Sequence, residues 1–180
     1  MKVYVFIAEG FEDIEAVTSI DVLRRAGAEV ELVSIMDSLA VKGAWGITIN
    51  CDSMFTDVNF DNGDMVVMPG GGVGYENLSK HTGVHSVLKK YNEENKWIGA
   101  ICAAPMVLGE IGLLNGRRAT CYPGCEEGLL GANYTAEIVT VDGNIITGRG
   151  PLAAGDFALG LVKVLFGEEK VNSLKEEMIY

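Results

Sequence analysis

VYVFIAEGFEDIEAVTSIDVLRRAGAEVELVSI, residues 3–35, decides the fold. Residues 3–7 form a compact apolar run closed by Ala8-Glu9-Gly10. Ile14, Val17, Ile20 and Leu23 then recur at helical spacing over 13–26, and Gly27 is placed to end that helix. Residues 29–35 alternate as a strand does. Strand, helix and strand in this short compass make a βαβ unit, which implies a parallel sheet covered by helices.

The rest of the chain repeats the theme. Gly43 and Gly46 punctuate a hairpin before Ile47 and Ile49. An apolar strand over 64–68 stops at Pro69-Gly70-Gly71-Gly72, a polar helix covers 82–95, and a strand spans 97–101. A helix over 103–111 follows, with Pro105 in its first turn, where proline is tolerated. Residues 118–122 read as a strand, and 137–141 with 145–147 as a hairpin about Asp142-Gly143. An apolar helix over 157–166 ends at Gly167, and a short charged helix closes the chain. With no repeat, linker or low-complexity tract, residues 1–180 read as one α/β domain.

Composition narrows the function classes. The 180 residues are 48% hydrophobic and 22% charged, ordinary values for a globular domain with a real core. Lys and Arg total 14 against 25 Asp and Glu, a net charge of −11 that repels nucleic acid and anionic membrane. No apolar run approaches the ~18 residues of a membrane span. The apolar stretch at residues 3–8 is too short and wrongly flanked for a signal peptide. Cys51, Cys102, Cys121 and Cys125 show neither a CxxC pair nor a secreted framework, which points to free thiols in a reducing cytoplasm.

Trp97-Ile98-Gly99-Ala100-Ile101-Cys102-Ala103-Ala104-Pro105 is the sharpest chemical feature. A strand runs into a cysteine and turns at once into a helix, with small residues on both sides. That is the geometry of a nucleophile elbow, and helix amides nearby favour a thiolate. A buried cysteine that serves only as a small hydrophobe is the alternative. Pro69-Gly70-Gly71-Gly72-Val73-Gly74 fails as a phosphate loop, since counting from Gly70 the last glycine of GxGxxG falls on Tyr75 and no GK[ST] follows. Its backbone amides suit an oxyanion site, or the segment is simply a turn. Glu12, Asp13 and Glu15 in the first turn of the first helix complement its dipole; a carboxyl there also has the reach to serve Cys102 as acid or base. His81 and His85 share a helix face, but no third ligand is near, so they read as surface histidines.

Five ordered segments carry a resemblance that spans almost the whole chain: residues 8–15, 22–27, 68–71, 100–105 and 148–151 (AEGFEDIE, VLRRAG, MPGG, AICAAP and GRGP). Together they resemble the ThiJ/PfpI family. The resemblance implies a flavodoxin-like three-layer sandwich related to class I glutamine amidotransferases, with a mostly parallel central sheet, a cysteine elbow and assembly as a homodimer. It implies Cys102 as nucleophile and as the site of oxidation to sulfinate, Glu15 as the buried acid, and Gly71 and Ala103 as oxyanion donors. Tyr122 and Arg149 fall in the expected pocket wall. Many members carry a histidine where this chain has Tyr122, and a phenol with a pKa of about 10 is a poor general base at neutral pH. The implied activity is therefore a glyoxalase or deglycase reaction on a small α-oxoaldehyde or its adducts, with no metal or cofactor. A redox-sensing stress protein or chaperone is the alternative, and a cysteine peptidase or amidotransferase-like hydrolase is disfavoured.

Overall fold

The computed structural model describes residues 1–180. In chain order the elements are β1 (Lys2–Ile7), α1 (Asp13–Arg25), β2 (Glu29–Ser34), β3 (Ala40–Lys42), β4 (Thr48–Asn50), β5 (Ser53–Met54), β6 (Met65–Met68), α2 (Gly72–Lys80) and α3 (Thr82–Glu93). They continue with β7 (Trp97–Ile101), α4 (Pro105–Glu110), β8 (Arg118–Ala119), β9 (Asn133–Tyr134), β10 (Val139–Asp142), β11 (Ile145–Gly148), α5 (Ala154–Phe166) and α6 (Glu168–Met178). Seven strands form the central sheet in the order β10-β11-β7-β6-β1-β2-β5. Every neighbouring pair is parallel except β10 with β11. The mostly parallel, helix-covered sheet is the one that the opening βαβ unit implies, and the whole is the flavodoxin-like α/β sandwich that the family resemblance implies.

Strand alternation feeds two cores, one on each face. Val3, Val5 and Ile7 of β1 meet Ala16, Ile20 and Leu23 of α1 and Phe157, Leu161 and Val162 of α5. Tyr4, Phe6 and Ala8 face the other way, into a core with Leu78 of α2, Val84 and Leu88 of α3, and Val107 of α4. β6 divides likewise, Met65 and Val67 to one core and Val66 and Met68 to the other. Strands buried on both faces need apolar residues at every position, which is why these segments read as unbroken apolar runs.

Three segments differ from the sequence reading. α2 was unexpected, because Gly72 and Gly74 lower helix propensity. Gly74 serves a close approach instead: a Cβ there would lie 3.1 Å from the Gly10 carbonyl oxygen. The strand expected at 118–122 shrinks to β8, which pairs with β9 in a separate small sheet. Beyond it Thr120 N–H turns to Thr147 Oγ1 (2.9 Å) and Tyr122 N–H to the Cys102 carbonyl (2.9 Å). The helix after the elbow begins at Pro105 rather than 103. The hairpin around Gly43 and Gly46 is present as β3 and β4. No helix is long and apolar enough to cross a membrane.

Candidate active site

β1, β6 and β7 lie side by side and parallel, so the segments leaving their carboxyl ends converge. The chain leaves β1 for β2 on one side and returns through β6 on the other, which makes this the switch point where α/β sheets bind ligands. β7 delivers Cys102, β6 delivers Pro69-Gly70-Gly71, and β1 delivers the turn into α1 with Glu12, Asp13 and Glu15.

Cys102 adopts φ +65°, a left-handed conformation that side chains other than glycine rarely take, and it persists because both flanks are pinned. Its N–H donates to the Gly148 carbonyl (2.9 Å) and its carbonyl accepts Tyr122 N–H (2.9 Å). The backbone N–H groups of Gly71 and Ala103 both act on the sulfur. Gly71 must be glycine: it has φ +92°, and a Cβ there would lie 2.3 Å from the Gly10 carbonyl oxygen. Gly70 is equally constrained by space, since its Cβ would fall 2.6 Å from Cys102 Cβ and 2.9 Å from Glu15 Oε2.

The three acids of the first turn have three different tasks. Glu12 caps α1: its Oε2 accepts Glu15 N–H (2.9 Å), the dipole role expected of it. Asp13 clamps the β3–β4 hairpin by accepting Trp45 N–H (3.0 Å) and Ile47 N–H (2.9 Å). Glu15, fully buried, is the one aimed at the elbow. Its Oε2 accepts Gly70 N–H (2.8 Å), Oε1 has no hydrogen-bond partner, and the carboxyl as a whole interacts with the Cys102 thiol. Gly70 was not singled out from the sequence, although its place in the glycine run after β6 was the available signal.

Burial pushes the Glu15 carboxyl up to about 7, with the nearby Glu12 charge adding to the rise; Gly70 N–H and the Cys102 thiol oppose it. The Cys102 thiol is also pushed up, to about 12, by burial first and then by the Glu15 charge. This corrects the expectation of a helix-stabilised thiolate. Of the groups acting on the sulfur, the Gly71 and Ala103 amides favour the anion. Once Glu15 is protonated its repulsion vanishes and a carboxyl proton can face the sulfur. Carboxyl and thiol therefore titrate as a pair.

Tyr122 and Arg149 both line a cavity of about 430 Å³, and Arg149 Nη1 donates to the Ala136 carbonyl. All four cysteines are free thiols. Burial pushes the Cys121 thiol up to about 12, with Cys125 and Glu126 adding to the rise and the Arg149 charge opposing it. His81 is more than a surface residue: its Nδ1 accepts Val84 N–H (3.1 Å) and caps α3, with its ring 4.5 Å from that of Phe55. No group of three or more His, Cys, Asp or Glu side chains is placed to hold a metal.

A parallel α/β sheet whose switch point gathers a cysteine elbow, a buried carboxyl and converging amides defines a flavodoxin-like protein with a cysteine-centred site. The DJ-1/PfpI family pattern matches residues 1–164, and this chain belongs to the DJ-1/PfpI family. It is 38% identical over 180 residues to DJ-1 homolog B of Arabidopsis thaliana, covering 99% of this chain but 41% of that protein. The chain thus spans less than half the length of this relative. It is 35% identical to a deglycase of Pyrococcus abyssi (84% of this chain, 91% of that protein). It is also 35% identical to a glutathione-independent glyoxalase of Caenorhabditis elegans (92% and 89%). Among solved structures, a cysteine-to-alanine mutant of a DJ-1 superfamily protein from Salmonella typhimurium superposes with a TM-score of 0.95. It is 35% identical, and the match covers 99% of this chain and 98% of that one.

Proposed function

We propose that this protein is a cofactor-independent glyoxalase or deglycase-type enzyme that uses Cys102 on small α-oxoaldehydes such as methylglyoxal, or on their adducts. The observation that carries the reading is the buried Glu15 carboxyl set against the Cys102 thiol, with the Gly71 and Ala103 amides facing the same sulfur. Relatives named as a deglycase and as a glyoxalase support the reaction class.

Ionised Glu15 takes the thiol proton as the sulfur attacks the aldehyde carbon, and the C=O bond opens to an oxyanion held by the two amides. Proton return gives a hemithioacetal. For methylglyoxal, Glu15 next moves the hydrogen of that carbon to its oxidised neighbour through an enediol, leaving a thioester of lactate. Water cleaves the thioester, releasing lactate and restoring the thiol, so the net change is addition of one water. A carboxyl whose pKa lies near the working pH suits both halves of this transfer. A Cys–His mechanism is disfavoured, because both histidines lie at α3 and neither acts on Cys102.

Wild-type protein is expected to convert methylglyoxal to lactate, and Cys102→Ser and Glu15→Gln to lose that turnover. Wild-type turnover no faster than that of Cys102→Ser would sink the proposal. We further propose a cytoplasmic homodimer. Four free thiols suit a reducing compartment. Exposed Ile14 and Val17 on α1, with Trp45 and Ile47 on the hairpin that Asp13 clamps to it, form an apolar face suited to a second copy.

A further inference from the structure

We propose that Cys121 and Cys125 form a second thiol site, a dithiol that a hydroperoxide closes to an intramolecular disulfide. The inference goes beyond the proposed aldehyde chemistry and stands apart from it, since it uses neither Cys102 nor Glu15. The four free thiols represent the reduced state of this pair.

Local geometry brings the two residues together. Tyr122-Pro123-Gly124-Cys125 is a β-turn closed by Cys125 N–H on the Tyr122 carbonyl (3.0 Å). Pro123 in its second place and Gly124 at φ +95° in its third are the pattern of type II. Such a turn holds its first and last Cα within about 7 Å, and Cys121 immediately precedes the first. Both cysteines are anchored. Thr120 N–H is bonded to Thr147 Oγ1 and Tyr122 N–H to the Cys102 carbonyl, which fixes Cys121 between them. The Cys125 carbonyl accepts Gly128 N–H (3.0 Å). Both side chains pack on one core, Cys121 within it and Cys125 at its margin. A disulfide asks for Cα atoms about 4.4–6.8 Å apart. The turn is exposed at Tyr122, Pro123 and Gly124, and a Cβ on Gly124 would meet nothing within 4 Å, so its backbone is free to make a small adjustment.

The pair divides the roles that disulfide formation needs. Cys125 is half-buried and meets an oxidant first, whereas Cys121 is wholly buried. After burial, the charge of Cys125 acts on the Cys121 thiol more than that of any other group, so the two sulfurs lie within each other's field. The Cys125 thiolate attacks one oxygen of a hydroperoxide and the O–O bond breaks, giving Cys125 sulfenic acid and an alcohol, or water where the oxidant is hydrogen peroxide. The Cys121 sulfur then displaces the sulfenic oxygen, which leaves as water with the Cys121 proton, and the S–S bond forms. The two thiols lose two electrons and the peroxide gains them. Thiol exchange reverses the step, and a bond across an exposed turn is open to it.

Trypsin cuts after Arg118 and Arg149, so both cysteines fall in one peptide, residues 119–149, that contains no other cysteine. The test treats native protein with hydrogen peroxide, alkylates it with N-ethylmaleimide and maps it by mass. In wild type and in Cys102→Ser this peptide is expected to lose about 2 Da and both alkylation sites, and dithiothreitol should restore them. Cys121→Ser and Cys125→Ser should give no such product; Cys125, at the margin of the core, is the substitution that spares the fold. A peptide that only gains oxygen, or keeps both thiols while Cys102 is oxidised, overturns the dithiol. So does a bridge that requires Cys102 or joins two chains. Phenylarsine oxide gives a check without oxidant, because its arsenic bonds both sulfurs of a close pair with loss of water. Capture that withstands excess monothiol in wild type and is lost in Cys125→Ser supports the site, and equal capture by the two overturns it.

Discussion

Replacing Glu15 with glutamine should stabilise the protein while abolishing its turnover, and the gain should depend on pH. In the unfolded chain the carboxyl titrates near its ordinary 4.5, whereas in the folded protein burial holds it at about 7. Below 4.5 both states carry the proton and Glu15 is neutral to stability. Between 4.5 and 7 the unfolded chain ionises first, so stability falls as pH rises. Above 7 both states are ionised and the folded protein bears the full penalty. At about 1.4 kcal/mol for each pH unit separating the two values, that penalty is about 3 kcal/mol. Glutamine keeps the shape and an oxygen for Gly70 N–H and never ionises. Urea denaturation should therefore show Glu15→Gln gaining about 3 kcal/mol at pH 8 and almost nothing at pH 4.5. In a chain of this length that corresponds to about 6–12 °C in Tm. A variant no more stable than wild type at pH 8, or equally stabilised at both pH values, would refute the reasoning. A carboxyl kept buried at the expense of stability is the trade-off expected if Glu15 is catalytic as proposed.

Other outcomes follow from single contacts. Gly71→Ala should lose about 2–4 kcal/mol, from a Cβ 2.3 Å from the Gly10 carbonyl oxygen on a residue at φ +92°, and should lose turnover as the amide shifts; a urea midpoint within error of wild type contradicts this. His81 caps α3 through neutral Nδ1, and burial lowers its pKa, so its contribution is present above about pH 6.5 and lost as pH falls through the lowered folded value. The stability difference between pH 7 and pH 5 should accordingly shrink in His81→Ala, and an unchanged difference counts against the cap. Asp13→Ala removes the acceptor for two hairpin amides and should cost about 2 kcal/mol, with amide exchange quickening at Trp45 and Ile47; protection equal to wild type would disprove the clamp. Peroxide titration followed by intact mass should add oxygen at Cys102 before Cys121, which is wholly buried, and the reverse order would contradict the exposures.

Much of the architecture was legible because its causes are local. The opening βαβ unit, the hairpin at Gly43 and Gly46 and the terminal helices follow from apolar periodicity and turn residues that neighbours in sequence decide. α2 escaped because Gly74 answers to the backbone at Gly10 and Phe11, a contact about 60 residues away in the chain. The strand that the sequence predicts over 118–122 stops at β8 because Thr120 and Tyr122 hydrogen-bond to Thr147 and Cys102 instead of continuing a ladder.

The candidate site divides along the same line. The sequence by itself marked Cys102 as an elbow, from small residues around a strand-to-helix turn, and marked three acids at the start of α1. It could not sort those acids, and only the resemblance pointed to Glu15. Tertiary structure made Glu12 a cap, Asp13 a clamp and Glu15 the partner of Cys102, 87 positions away in the numbering. It also reversed the expected thiol acidity. Periodicity and turn chemistry are properties of adjacent residues, whereas desolvation and the pairing of carboxyl with thiol exist only after β1, β6 and β7 bring their ends together and exclude water.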